Sequence, residues 1–254
     1  MKRVFLVLGL LAVLATPAAS ATKSAPKATV YAASSLTNVF PVVDANATYS
    51  FGGSNALAAQ IEQGAPADVF ASANLTLPTQ LHQQGYCSRP VVFTRNTLVI
   101  VVPKANPAHI RNIYNLTKPG VKVDVAAPGV PVGTYTQQVL NNMNIAAAVN
   151  KNVVSQESSV TEVLAHVTGG DVDAGFVYAT DAQSVSGQVK VIRVPAWAQP
   201  KVRYGICVVS ASQNKTAAHA FIRLVLSAKG QAKLLKYGFL PRFKPAAKHH
   251  RHRS

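Results

Sequence analysis

Four short stretches place small hydroxyl residues or glycines where a β-rich run gives way to a helical pattern: Ala32-Ala33-Ser34-Ser35, Gly52-Gly53-Ser54, Val132-Gly133-Thr134 and Ser158-Ser159-Val160. A helix start leaves backbone amides without intrahelical partners. Amides and hydroxyls aimed at one point make a cradle for an anion. Ordinary capping is the plain alternative, since Thr134 with Gln137 and Ser159 with Glu162 have capping-box spacing. The four together favour a site, because ligands of open α/β sheets bind beyond the carboxyl ends of the strands, where such junctions converge. A hydrolase is the competing chemistry. Gly52-Gly53-Ser54-Asn55-Ala56 approximates the G-x-S-x-G elbow without its last glycine. A Ser54 nucleophile would then need a carboxylate and an imidazole, for which Asp181 with His166 or His219 are the loose candidates. Ferric binding would need clustered Tyr, His and carboxylates, and Tyr178 has no such neighbours in sequence.

The elements that must position these residues alternate along the chain. Short β-rich runs cover 28–31, 47–51, 68–71, 98–102, 121–125, 174–178, 189–194 and 203–209, most of them wholly apolar, as strands covered on both faces are. Helical patterns lie between them at 36–43, 55–63, 75–84, 135–142 and 160–167, with Gly64, Gly85 and Gly169 as stops. A long helical stretch over 217–237 has Gly230 as its break and Gly238 as its end. This alternation predicts an α/β fold with mostly parallel sheets.

Composition narrows the class. With 254 residues, 48% of them hydrophobic, the chain has enough apolar side chain for one large core or two smaller ones. The balance of 25 Lys and Arg against 9 Asp and Glu gives a net charge of +16, which attracts anions over long range. Aromatic and basic residues do not interleave as in base-stacking proteins, so no nucleic-acid partner is expected. At the amino end, basic Met1-Lys2-Arg3, twelve apolar residues over 4–15 and Ala19-Ser20-Ala21 read as a signal peptide over 1–21, cleaved after about Ala21. No Cys follows that site to accept a lipid. Residues 244–254 hold four Lys or Arg and three His with no carboxylate, and read as a disordered basic tail. A metal role for His249, His250 and His252 is the alternative for that tail.

Several longer blocks are recognisable as a set. They are Tyr31-Ala32-Ala33-Ser34-Ser35-Leu36-Thr37, then Ser50-Phe51-Gly52-Gly53-Ser54 through Gln60-Ile61-Glu62-Gln63-Gly64-Ala65-Pro66-Ala67-Asp68-Val69-Phe70-Ala71-Ser72-Ala73, then Ala174-Gly175-Phe176-Val177-Tyr178-Ala179-Thr180-Asp181-Ala182, and finally Lys236-Tyr237-Gly238-Phe239. In that order they closely resemble the periplasmic molybdate-binding proteins of bacterial molybdate ABC transporters, over nearly the whole chain after the signal. The resemblance implies a two-lobed periplasmic-binding-protein (type 2) fold with flanking helices and the ligand in the inter-lobe cleft. Lobe 1 would be 28–89 with 203–243, and lobe 2 would be 90–202. It implies a monomeric periplasmic receptor that is no enzyme and carries no cofactor. Its ligand would be molybdate, with tungstate as a second, and its partner a membrane permease. Carried over one position at a time, the family's ligand groups fall on Ser35, Ser54, the amides of Val132 and Val160, and the Tyr178 hydroxyl. The chain departs from the family at Ala127-Pro128-Gly129-Val130 and has Val132 where the family has Ala, which bears on pocket size. On that fold Cys87 and Cys207 come close together, as a disulfide or as two buried thiols.

The chemistry of such a ligand agrees with these residue types. Molybdate and tungstate near neutral pH are tetrahedral dianions whose oxygens only accept hydrogen bonds, so hydroxyls, amides and a phenol suit them and a carboxylate would not. A partly protonated phosphate needs an acceptor, which the set lacks. Sulfate does not, and remains the alternative oxyanion.

Overall fold

The computed structural model describes residues 27–243. The predicted signal peptide and the basic tail, with its three histidines, lie outside the described residues. Along the chain, β1 (Thr29–Ala33) leads through a 3₁₀ turn at Ser34–Leu36 and α1 (Phe40–Val43) to β2 (Thr48–Gly52), α2 (Ser54–Glu62), β3 (Val69–Ser72), α3 (Thr76–Gln83) and β4 (Val91–Arg95). Next come β5 (Leu98–Pro103), β6 (Val123–Ala126), α4 (Pro131–Asn142), α5 (Ala146–Asn150), β7 (Val153–Glu157), α6 (Val160–Gly169), β8 (Ala174–Tyr178), α7 (Ala179–Ser184) and β9 (Val189–Arg193). The chain closes with β10 (Arg203–Val208), α8 (Lys215–Leu226) and α9 (Ala228–Lys236).

These strands form two five-stranded sheets, ordered β2-β1-β3-β10-β4 and β7-β6-β8-β5-β9. β10 runs antiparallel to both its neighbours, as β5 does to β8 and β9, so four strands of each sheet point one way and one runs against them. The mostly parallel α/β architecture read from the alternation is therefore present. The chain passes between the sheets twice, at Asn96 and Thr97 and again between β9 and β10.

The structure corrects several element assignments. β4 pairs with β10 in the first sheet, which puts the first passage at Asn96 and Thr97, later than the boundary predicted at 89/90. Residues 90–103 form one β-rich stretch without Gly or an internal Pro, so nothing local marks the passage. β7 was not predicted because it alternates half-buried and exposed residues at a sheet edge, and α5 and α7 because they are short. The 36–43 pattern resolves into a 3₁₀ turn and one turn of α-helix around Pro41. The closing helical stretch breaks at Ser227, whose hydroxyl caps α9 by accepting from Gly230 N at 3.1 Å. Gly230 sits inside α9, where a Cβ would stand 2.1 Å from the Leu224 carbonyl oxygen. It is there for the close approach of α8 and α9.

Phe40, Phe93, Tyr204 and Phe221 are wholly buried under the first sheet, Phe40 edge-on to Phe221 at 5.4 Å between ring centres. Full burial of each large apolar side chain contributes roughly 1.5–3 kcal/mol. Cys87 and Cys207 are packed together with Leu57, Phe70 and Leu81 in a smaller cluster. Both are free thiols, so of the two readings of this pair the structure holds the buried thiols and not the disulfide. The hydrogen bond to Cys87, reinforced by burial, pushes the Cys207 thiol far up.

Candidate functional site

Three of the four junctions carry an α-helix start whose first residues line one pocket. α2 begins after Gly53, whose carbonyl accepts the first intrahelical bond from Leu57 N at 3.0 Å, so the amides of Ser54, Asn55 and Ala56 precede the helix ladder. α4 begins after Val130, with Pro131 in the first turn, where its missing N–H costs nothing. Its first bond runs from Thr134 N to Val130 O at 3.0 Å, which leaves the amides of Val132 and Gly133 ahead of it. The predicted Thr134 and Gln137 box is not formed, because Thr134 lies inside the helix. α6 is capped as predicted by Ser159, whose hydroxyl accepts from Glu162 N at 3.4 Å, and the Val160 and Thr161 amides come before the helix ladder. The Glu162 carboxylate reaches back to Ser158 N at 2.8 Å, one residue earlier than a capping box requires. The fourth junction is the 3₁₀ turn that carries Ser35.

Ser35, Ser54, Val132, Val160 and Tyr178, the five positions carried over from the family resemblance, line one small pocket together with Ala33, Gly52, Gly53 and Pro131. Residues of both sheets' lobes therefore face each other there. No Asp, Glu, Lys or Arg is among the lining residues. The cavity volume is about 10 Å³, about the room that one water molecule needs. A wider cleft of about 700 Å³ shares Ser34 and Ser35 with it and carries Lys236 on its wall.

The surroundings of Ser54, Ser35 and Tyr178 let each hydroxyl offer a proton to the pocket. Ser54 Oγ accepts from Ala73 N at 3.1 Å, which leaves its proton free to point into the pocket. Ser35 Oγ lies 2.9 Å from the Tyr204 hydroxyl, which also receives a 3.5 Å contact from Asn96 Nδ2. With Asn96 donating to Tyr204 and Tyr204 donating to Ser35, the Ser35 proton is again the free one. Tyr178 is 1% exposed and, among the described residues, its hydroxyl has no hydrogen-bond partner. A buried unpaired hydroxyl costs about 1–3 kcal/mol, which an acceptor placed in the pocket would offset. Burial pushes its ionisation well above the ordinary tyrosine value, which keeps it a neutral donor.

Tyr204 and Asn96 were not predicted for the site. Tyr204 lies in the return strand β10, and Asn96, at the passage between sheets, also donates to Thr180 Oγ1 at 2.9 Å. Their roles depend on β10 lying beside β3, a pairing across more than 100 residues with no local signal.

Asp181 is the carboxyl group closest in sequence to the Tyr178 junction. It is buried, accepts from Tyr178 N at 3.1 Å, and burial pushes its carboxyl up to about 7. The neutral acid is favoured in the folded protein, so this contribution to stability is complete below about pH 4 and is lost as pH rises through about 7. Three units correspond to about 4 kcal/mol. Asp181→Asn keeps the acceptor and removes the titration. Denaturant unfolding should show the wild type losing about 4 kcal/mol relative to the variant between pH 4 and pH 8, and parallel pH profiles would contradict the assignment.

The hydrolase constellation is not assembled. His166 Nδ1 is 2.9 Å from Asp124 Oδ2, not paired with Asp181, and His219 is exposed on α8. Ser54 is hydrogen-bonded to a backbone amide.

Comparison with known proteins gives the family and the fold. The model of the family described as bacterial extracellular solute-binding protein matches residues 15–240. The chain is 37% identical to the molybdate-binding protein ModA of Mycobacterium tuberculosis over 235 residues, covering 89% of this chain and 88% of that protein. Among solved structures, the periplasmic molybdate-binding protein of Azotobacter vinelandii superposes with a TM-score of 0.75 at 22% identity, covering 84% of this chain and 99% of that one. The sulfate-binding protein SubI of M. tuberculosis does so with a TM-score of 0.74 at 20% identity, over 85% and 86%. At those identities the two structures establish the shared fold.

Proposed function

We propose, from the premise that this chain belongs to the bacterial extracellular solute-binding proteins and is not an enzyme, that it captures molybdate, and tungstate with it, and delivers the anion to an ABC transporter permease. The observation that carries this reading is the pocket itself. It is lined from both lobes by helix starts, three serines and an unpartnered phenol, with no carboxylate to repel a dianion and none to accept a proton from phosphate. The ligand set is Ser35, Ser54, the Val132 and Val160 amides and Tyr178. Hydrogen bonds to a charged group contribute about 1.5–3 kcal/mol each, and each helix start adds roughly 0.3–1 kcal/mol. Four or five such groups reach the roughly 8 kcal/mol of micromolar binding without any cation in the pocket. On this reading the protein works as a monomer in the periplasm after losing its signal, without a lipid anchor.

Titration calorimetry with molybdate, tungstate, sulfate and phosphate tests it. The expected result is one-to-one binding of molybdate and tungstate, with sulfate weaker by a hundredfold or more and phosphate silent. Sulfate binding as tight as molybdate would assign the site to sulfate, and heat from none of the four would end the oxyanion reading. Ser54→Ala should weaken molybdate by about 1–3 kcal/mol through one lost donor. It should also lower stability, because Ala73 N loses its acceptor; unchanged affinity would remove Ser54 from the ligand set.

A further inference from the structure

A second cluster of polar groups lies within the second lobe, and none of its three residues lines the anion pocket. Asp124 on β6, Glu157 at the end of β7 and His166 on α6 each offer a ligand atom, and these atoms all lie within 4.8 Å of one another. His166 Nδ1 is 2.9 Å from Asp124 Oδ2 and 3.3 Å from Glu157 Oε1. Ligand atoms held about 2.0–2.2 Å from one zinc ion in a tetrahedron stand roughly 3.3–3.6 Å apart; the His166–Glu157 separation already matches such an edge, and the hydrogen-bonded His166–Asp124 pair would open by about 0.4 Å to do so.

The hydrogen bonds present do not account for the cluster. The Asp124 side chain is wholly buried, at 0% exposure, and among the described residues its Oδ1 has no partner. One imidazole, even protonated, can balance only one of the two carboxylates. A buried carboxylate is costly unless paired or coordinated to a metal. The geometry points to a binding site for a divalent cation of the zinc class, held by Asp124, Glu157 and His166. Three protein ligands leave the fourth position for water, and the nearby Ser155 hydroxyl, which donates to Glu157 Oε1, supports that carboxylate from behind the shell. An imidazole ligand favours zinc-like metals, whereas calcium takes six to eight oxygens and magnesium keeps an octahedron of oxygens. For the metal to bind, the Nδ1 proton must leave or move to Nε2, and the side chain is 38% exposed, which gives both the proton and the ion a path.

The site joins β6, β7 and α6, and His166 is six residues along α6 from Val160, about 9 Å along the helix axis. A bound ion would therefore hold together the elements that present the second lobe's share of the anion pocket, without itself touching the anion.

The test uses the full chain with His249→Ala, His250→Ala and His252→Ala in every arm, so that the tail contributes no imidazole. After treatment with chelator, zinc chloride is titrated calorimetrically and thermal unfolding is followed with and without zinc. The protein with the site intact should bind one zinc ion and melt at a higher temperature when loaded, and magnesium chloride should give no heat. His166→Gln should weaken zinc binding at least tenfold and abolish the zinc-dependent shift. Glu157→Gln, at a partly exposed sheet edge, should do the same and covers the case in which the first variant does not fold. Equal zinc affinity in the intact and substituted proteins, or no zinc binding by the intact site, would overturn the assignment.

Discussion

Gly53→Ala should weaken molybdate binding by a hundredfold or more while leaving the fold intact. Gly53 has ordinary backbone angles, φ −61° and ψ 131°, so alanine is not strained there by conformation. The obstacle is the opposite lobe. A Cβ on Gly53 would lie 2.2 Å from the carbonyl oxygen of Ser158, a residue between β7 and α6, and real Cβ contacts of that length do not occur. The severe clash lies where the two lobes meet and is relieved by their standing apart, whereas the other close neighbour, Asn55 Oδ1 at 3.0 Å, is a side-chain atom of the first lobe that can shift. Holding them apart would move the Val132 and Val160 amides and the Tyr178 hydroxyl away from an anion seated on the first lobe. Losing two charge-assisted hydrogen bonds of about 1.5–3 kcal/mol each amounts to at least about 3 kcal/mol, which is more than a hundredfold. Calorimetry gives the affinity, and small-angle scattering should show that the variant fails to contract on adding molybdate. Wild-type affinity with normal contraction would mean that the lobes close in another way.

Tyr178→Phe should weaken molybdate binding by tenfold to a hundredfold, about 1.5–3 kcal/mol, and should leave the unliganded protein as stable as before or more so. The two effects separate because the hydroxyl is buried without a partner in the free protein. Removing it deletes an uncompensated polar group while keeping the ring, which packs on Tyr204 with centres 5.7 Å apart. A purely structural tyrosine would show the reverse, with stability lost and affinity kept. Thermal unfolding without ligand, beside calorimetry with molybdate, decides between them.

Much of the site was legible before the tertiary structure. The donor-rich junctions were visible because serines, glycines and β-rich runs are local features, and short-range steric and hydrogen-bonding preferences decide where a strand yields to a helix. The apolar strands separated by helical patterns likewise specify an α/β chain, since apolar strands must be covered on both faces. The ordered blocks from Tyr31 to Phe239 then carried the likeness to a two-lobed receptor and, position by position, the five residues that line the pocket. The sequence by itself thus determined the class of the protein and the donor groups it can offer.

What it left open depended on contacts between distant residues. That Val91–Arg95 belongs to the first sheet follows from its pairing with β10, more than 100 residues later, and the apolar run it shares with β5 looks the same either way. That Ser35 can turn its proton to the pocket follows from Tyr204 and Asn96 standing behind it, and that Tyr178 is unpartnered among the described residues follows from everything packed around its ring. The pairing of His166 with Asp124, which withdraws it from any catalytic role beside Ser54, is likewise a contact across 42 residues. Local preference sets which groups a segment can present, because it acts over a few bonds. The direction in which each hydroxyl points and the way two lobes meet were decided only by the tertiary structure, because they depend on which distant surfaces the folded core brings into contact.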